Sequence, residues 1–311
     1  MYLPSSVMLQ LTIALIHCGY KNNFTNYTGI LLHSCMDVSI YHPAYFVYFY
    51  NDELFIITRG SKVNDDYATA AIFSEITDED NRTYHTGYYK AALYVWTNVK
   101  QYIDCMGPSR KVNFIGHSYG GAVSQILHIF AVNQYAGLRD KSVFSSYCFA
   151  APPTMGVGNE SQIIESTFNI VNDDDIVPTL SVPNCLEKFR IIAPVLNLIS
   201  TETLTVAVRD LLKVINITSL MDQDLFNMIY NAAPTVINAV KECESGVPKL
   251  VRYTSGNVFQ LKKDHPKKLS QALIDPTETL YELSIALNCI AHHKSERYQE
   301  ICDEIIPENF I

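Results

Sequence analysis

The stretch Val112-Asn113-Phe114-Ile115-Gly116-His117-Ser118-Tyr119-Gly120-Gly121-Ala122-Val123 decides how the rest of the chain is read. An apolar, β-type run passes into Gly-x-Ser-x-Gly and then into a helix-forming segment. This is the sequence form of a nucleophile elbow, a strained strand-to-helix turn that lifts a serine hydroxyl above a sheet edge. Gly116 and Gly120 belong to the pattern because the turn is tight. A Cβ at either place would strike a neighbouring strand or helix, and glycine tolerates the unusual backbone angles. Alone, the five-residue motif is a modest signal; the strand before it and the helix after it give it weight.

The 311 residues suffice for one large α/β domain or two small ones. With 48% hydrophobic and 18% charged residues, the chain can bury a full core. A net charge of −9 and the lack of any Lys/Arg run argue against a nucleic-acid partner. Eight cysteines stand far apart, at 18, 35, 105, 148, 185, 243, 289 and 302. None forms Cys-x-x-Cys, which weakens a zinc or thioredoxin-type reading, and buried free thiols suit them at least as well as disulfides. No cofactor and no metal site are expected.

Residues 7–16 are apolar but too short to span a bilayer. No Lys or Arg precedes them and no good small-residue cleavage pair follows, so a buried helix within an N-terminal helical segment, residues 1–40, is expected over a signal peptide. Asn-x-Ser/Thr sites at Asn23, Asn26, Asn81, Asn159 and Asn216 would suit secretion. An Asn-rich chain carries roughly three such sites by chance. A cytoplasmic or peripheral-membrane location without a transmembrane helix is therefore the expectation, with secretion left open.

Working outward from the elbow, two β runs at residues 45–50 and 54–58 flank Asn51-Asp52-Glu53 and read as a hairpin or adjacent strands. Residues 88–103 place Tyr89, Ala92, Leu93, Trp96, Val99 and Ile103 at helical spacing. After the elbow helix come strands at 143–150 and 168–171. Alternation of strand and helix in this order predicts an α/β fold with a mostly parallel, doubly wound sheet. From about 186 to 248 the pattern turns Leu-, Ile- and Val-rich and helical, a long insertion that reads either as extra core helices or as a cap walling an acyl pocket. Further β character at 250–253 and 258–261 precedes final helices over 278–304. Residues 1–311 are thus expected to form a single domain.

A serine hydroxyl needs a histidine to take its proton and an acid to hold that histidine in one tautomer. Behind an elbow of this type the order is Ser, Asp/Glu, His. Past Ser118, the acids at a strand's C-terminal end are Asp173, Asp174 and Asp175, just before Ile176-Val177-Pro178. Such a position lies on the same rim of the sheet as the elbow. The downstream histidines are His265, in a charged turn, and the adjacent pair His292 and His293. For the oxyanion, the backbone N–H of Tyr119 is one donor, and Ser61, in Arg59-Gly60-Ser61 directly after an early strand, is the natural second.

The chain resembles the class 3, fungal-lipase-like lipases, and most of all their diacylglycerol-lipase-like branch. The resemblance rests on Thr58-Arg59-Gly60-Ser61, His85-Thr86-Gly87-Tyr88-Tyr89, Gly116-His117-Ser118-Tyr119-Gly120-Gly121 and Asp174-Asp175-Ile176-Val177-Pro178, in that order. His42-Pro43-Ala44-Tyr45-Phe46-Val47, Cys148-Phe149-Ala150-Ala151-Pro152-Pro153 and the helical insertion resemble the branch. The likeness spans roughly residues 40 to 300 and implies an α/β-hydrolase fold. It implies Ser118 as nucleophile, Asp175 as acid, His293 as base (with Tyr298 five residues on), Ser61 and Tyr119 at the oxyanion, and a lid over residues 62–73. In this chain Ala70 stands where an acidic residue is common near the end of the lid helix, and Tyr119 replaces the usual Leu after the serine. The implied activity is hydrolysis of tri- or diacylglycerol esters at a membrane or droplet surface; no protein partner is implied. Phospholipase A1 or general carboxylesterase activity shares the same motifs, and an inactive lipid-binding relative would retain the pocket.

Overall fold

The structure, a computed structural model, describes residues 4–70, 72, 74–156, 165–172, 175, 177–179, 181, 198–216, 230–231, 233–234, 237–238, 254–261, 269–271 and 293–304. Its frame is an eight-stranded sheet. In chain order the strands are β1 (Ile30–Cys35), β2 (Tyr45–Tyr50), β3 (Glu53–Thr58), β6 (Val112–His117), β7 (Phe144–Phe149), β8 (Thr167–Asn172), β9 (Asn257–Leu261) and β10 (Leu269–Gln271). Spatial order follows chain order. Between β3 and β6, β4 (Glu75–Thr77) and β5 (Thr83–His85) form a separate hairpin. β3, β6, β7, β8 and β9 pair in parallel, with β1, β2 and β10 antiparallel at the two sides. This is an α/β-hydrolase fold with a mostly parallel central sheet.

The central strands are apolar along their whole length because both faces are covered. In β3, Leu54 and Ile56 point into one core and Phe55 and Ile57 into the other. The first core is completed by α3 (Thr86–Asp104) and α4 (Tyr119–Gln134), the helices that carry the chain from β3 to β6 and from β6 to β7. Phe114, Trp96, Ile126 and Phe144 pack there. The second core is closed by α1 (Ser6–Lys21) and α6 (Ser295–Glu304), which also touch each other. Leu9, Ile13, Phe149, Phe168 and Tyr298 fill it. Between α1 and α6 in sequence lie α2 (Asn64–Ala70) and α5 (Thr201–Asn216).

Residues 7–16 fall inside α1, whose Ser5 cap accepts a hydrogen bond from Met8 N. The N-terminal 40 residues are not helical throughout: Ile30–Cys35 forms edge strand β1, paired with β2 through a bulge between Leu31 and His33. α5 falls within the helical insertion expected at about 186–248; residues 250–253, expected as a strand, His265, and the part of the expected final helices before residue 293 lie outside the described residues. Cys18, Cys148 and Cys302 are buried free thiols, Cys35 is half-buried and Cys105 exposed. Among the described residues, no helix is long and apolar enough to cross a membrane.

Candidate active site

Ser118 sits where β6 ends and α4 begins, with φ 56° and ψ −126°, a region that non-glycine residues occupy only under constraint. Its N–H donates to the Phe149 carbonyl at 2.8 Å, and its own carbonyl accepts from Ala122 N at 3.1 Å, so the turn is fixed from both sides. The glycines permit the close approach. A Cβ on Gly116 would strike the Gly120 carbonyl, and one on Gly120 would strike the Thr58 carbonyl of β3. The elbow therefore lies against the end of β3, where Thr58 pairs with Gly116.

The candidate acid comes from the loop after β8. Asp175 is 4% exposed. Its Oδ1 accepts from Val177 N at 2.9 Å and its Oδ2 from the Tyr298 hydroxyl at 2.7 Å. The same hydroxyl accepts from Asn172 N at 2.8 Å, tying the loop to α6. His293 stands two residues before α6 and spans the gap between acid and serine. Its Nδ1 lies 3.0 and 3.1 Å from the two Asp175 oxygens, and its Nε2 lies 2.8 Å from Ser118 Oγ. A carboxylate can only accept, so the proton belongs on Nδ1 and Nε2 is left to accept from the serine hydroxyl. Of the candidates raised from sequence, the structure brings Ser118, His293 and Asp175 into one chain of contacts. Asp173, Asp174 and His292 lie outside the described residues.

The two oxyanion candidates stand on the same rim. Tyr119 opens α4, so its N–H is one of the first-turn donors that a helix leaves free, at the positive end of its dipole. Its ring packs in the core, 2% exposed and 5.9 Å from the ring of Tyr88. Burial raises its phenol pKa well above the ordinary value. Ser61 is half-buried, three residues past the end of β3. The loop beneath it is held by Arg59, whose N–H donates to the Ala44 carbonyl at 3.0 Å.

Short helix α2 occupies the segment expected as a lid. Asp66 anchors it at its start rather than its end: one carboxylate oxygen accepts from Arg59 Nη2 at 3.1 Å, Lys62 N at 3.0 Å and Val63 N at 3.3 Å. The Arg59–Asp66 pair is buried on both sides, which makes removal of either partner costly. An acid at position 70 is thus not required to hold this helix.

Two neighbours of the site went unread in the sequence. His117 Nε2 lies 2.7 Å from the backbone carbonyl of His293, and His117 Nδ1 lies 3.0 Å from the hydroxyl of Tyr20 on α1. His117 is visible inside the elbow motif, but nothing local marks it as facing residue 293. Tyr20 carries no motif at all.

Residues 55–185 match the model of the family described as Lipase (class 3). The model is that of the whole class and does not distinguish its diacylglycerol-lipase-like branch. No curated sequence matches the chain. Among solved structures, the chain is similar to a triacylglyceride lipase of Rhizomucor miehei, at 18% identity over 55% of this chain and 71% of that one, with a TM-score of 0.44. It is similar to a triacylglycerol lipase of Penicillium expansum at 19% identity, 56% and 72% coverage and a TM-score of 0.46. The Lip2 lipase of Yarrowia lipolytica is similar at 15% identity, 56% and 72% coverage and a TM-score of 0.44. Across residues 55–185, a stretch that runs from β3 through the elbow and past Asp175, the chain is class 3 lipase-like.

Proposed function

We propose that this chain is a serine hydrolase of carboxylic esters that cleaves acylglycerol lipids through Ser118, His293 and Asp175. The observation that carries the reading is the continuous contact from Ser118 Oγ through both ring nitrogens of His293 to the buried Asp175 carboxylate. The match to the class 3 lipase model supports it independently.

In the first half-reaction, His293 Nε2 takes the hydroxyl proton as Ser118 Oγ bonds to the ester carbonyl carbon. The carbonyl π pair moves onto oxygen. Tyr119 N–H and Ser61 stabilise that charge, the former with the help of the α4 dipole. The Asp175 carboxylate stabilises the imidazolium through Nδ1–H. Collapse of the tetrahedral species breaks the bond to the alcohol oxygen, which leaves with the proton from His293. Water, deprotonated by the same nitrogen, then attacks the acyl-enzyme, and a fatty acid and free Ser118 result.

Beside α2, Met36, Val38 and Val63 share an open cleft of about 430 Å³ with Arg59, Asn64 and Asp65. Met36 and Val63 are exposed, at 40% and 39%, as suits contact with a lipid surface.

The test is purified protein against triacylglycerol, diacylglycerol and phosphatidylcholine, with fatty-acid release measured for wild type and Ser118→Ala. Wild type is expected to release acid fastest from an acylglycerol, and Ser118→Ala to lose about 10⁵-fold or more. Fastest release from phosphatidylcholine would move the reading to a phospholipase A1. Turnover that survives Ser118→Ala would overturn it.

A further inference from the structure

The N-terminal helix α1 lies outside the residues matched by the lipase model, yet its last turn reaches the site. Tyr20 meets three parts of it at once. Its hydroxyl is 3.0 Å from His117 Nδ1, its backbone carbonyl accepts from Lys62 Nζ at 3.0 Å, and the hydroxyl fills the space that a Cβ on Gly60 would need. His117 in turn reaches the backbone of the base, with Nε2 2.7 Å from the His293 carbonyl oxygen.

The chemistry of these atoms leaves one arrangement. A backbone carbonyl only accepts, so His117 Nε2 must carry the proton. Nδ1 is then a lone pair, and the Tyr20 hydroxyl must donate to it. Burial, and then the nearby His293, hold the His117 pKa well below its ordinary value, so the ring stays neutral and keeps one proton to place. Burial likewise raises the Tyr20 phenol, which stays a donor. Packing fixes the His117 ring: it lies 4.9 Å from the ring of His293, 5.7 Å from that of Tyr298 and 5.9 Å from that of Tyr20.

We propose that Tyr20 and His117 form a positioning relay, Tyr20 O–H to His117 Nδ1 and His117 Nε2–H to the His293 carbonyl, that sets where the base stands relative to Ser118. This inference deepens the proposed hydrolase reading and rests on it. His293 stands in a short stretch directly before α6, where Asp175 holds its ring but not its backbone. His117 supplies the backbone restraint from the residue adjacent to the nucleophile, so serine and base are referenced to the same strand end. The His293 carbonyl selects the Nε2–H tautomer, and Tyr20 satisfies the Nδ1 lone pair that this tautomer leaves buried. Without the hydroxyl that lone pair has lost its donor, and the ring loses the second of the two hydrogen bonds that aim Nε2–H at the carbonyl.

A double-mutant cycle on the full chain tests this with a soluble fatty-acyl ester, reading kcat and KM separately, with Tm as the control for folding. Tyr20→Phe is expected to lower kcat about tenfold, as a misplaced base does, with KM within about twofold and the fold intact. His117→Gln keeps an amide N–H for the His293 carbonyl but has no second ring nitrogen for Tyr20. In that background, Tyr20→Phe should have no further effect on kcat. Equal kcat in wild type and Tyr20→Phe, or a tenfold loss from Tyr20→Phe that persists in His117→Gln, would overturn the relay. Fluorophosphonate labelling of wild-type Ser118 separates the two levels. A labelled, hydrolytic wild type with a silent Tyr20→Phe removes the relay alone. A wild type that neither labels nor hydrolyses removes the hydrolase reading and the relay with it.

Discussion

The two faces of the sheet are built alike and hold the site in different ways. On the α3–α4 side, Ser118 is constrained by close backbone packing, within the elbow and against Thr58 and Phe149 of the neighbouring strands. Gly116 and Gly120 touch four residues apart, and helix α4 starts at the next residue. On the α1–α6 side, His293 meets groups 118, 175 and 176 positions away in sequence: Asp175, Ser118 Oγ and the His117 ring. A strained backbone can be stored locally where close-packed glycines and a helix start over-determine it. His293 has no such close-packed backbone and is held by a few long-range hydrogen bonds. Damage to the first face should therefore cost folding, and damage to the second should cost rate.

The largest effect is expected where the two faces meet. Asp175→Asn preserves shape but no longer requires the Nδ1–H tautomer, and kcat should fall about 10⁴-fold. Tm should stay within a few degrees of wild type by calorimetry. A collapse of the fold would show that the acid is a structural keystone and would erase the distinction.

Gly120→Ala is the counterpart on the elbow side. Its Cβ would meet the Thr58 carbonyl, a backbone atom that cannot rotate away. A loss of about 3 kcal/mol is expected, seen in a chain of 311 residues as a Tm lower by about 5 °C. A variant as stable as wild type would mean that the end of β3 can yield and that close backbone packing does not over-determine the elbow.

Tyr298→Phe probes the acid's support with a smaller change. It removes the donor to Asp175 and leaves the Asn172 N–H without that acceptor. A stability loss of about 1–3 kcal/mol is expected from urea unfolding, with a fall in kcat of about tenfold. Loss of stability with no change in rate would move this tyrosine from the site to the core.

The same contrast explains what could be read from the sequence. β2, β3, β6, β7 and β8 are short apolar runs with turn residues between them, and the elbow is contiguous, so local patterning finds them all. β1 escaped because Ile30, Leu31 and Leu32 are exposed on an edge strand, with no alternation to betray a buried face. Asp175 and His293 needed more than patterning. Three aspartates in a row and two histidines in a row are locally equivalent, and the family resemblance chose among them through Ile176-Val177-Pro178 and Tyr298. Tyr20 and His117 escaped altogether, since a contact between residues 97 apart leaves no periodic trace.

Acid sensitivity gives the finest test of the comparison. His85 and His128 lie on the α3–α4 side. His85 caps α3 by accepting from Tyr88 N, and His128 Nδ1 lies 2.9 Å from both Ser146 Oγ and Thr167 Oγ1. Burial lowers His85 to about 4 and His128 to about 3. Each therefore stays neutral in the folded protein at a pH where the unfolded chain, with an ordinary histidine value of about 6.5, binds a proton. Proton uptake by the unfolded state lowers stability, so each histidine's stabilising contribution is complete above that value and shrinks as pH falls towards the folded one. Between pH 6.5 and 5.5 the loss is about 1 kcal/mol per histidine. His128→Gln keeps an acceptor but cannot titrate. Its unfolding free energy in urea should fall by about 1 kcal/mol less than that of wild type over the same interval, whatever its stability at pH 6.5. An unchanged slope would mean that His128 is protonated in the fold. The elbow helix would then rest on a charge-assisted network of hydroxyls, and close backbone packing would no longer separate it from the α1–α6 side.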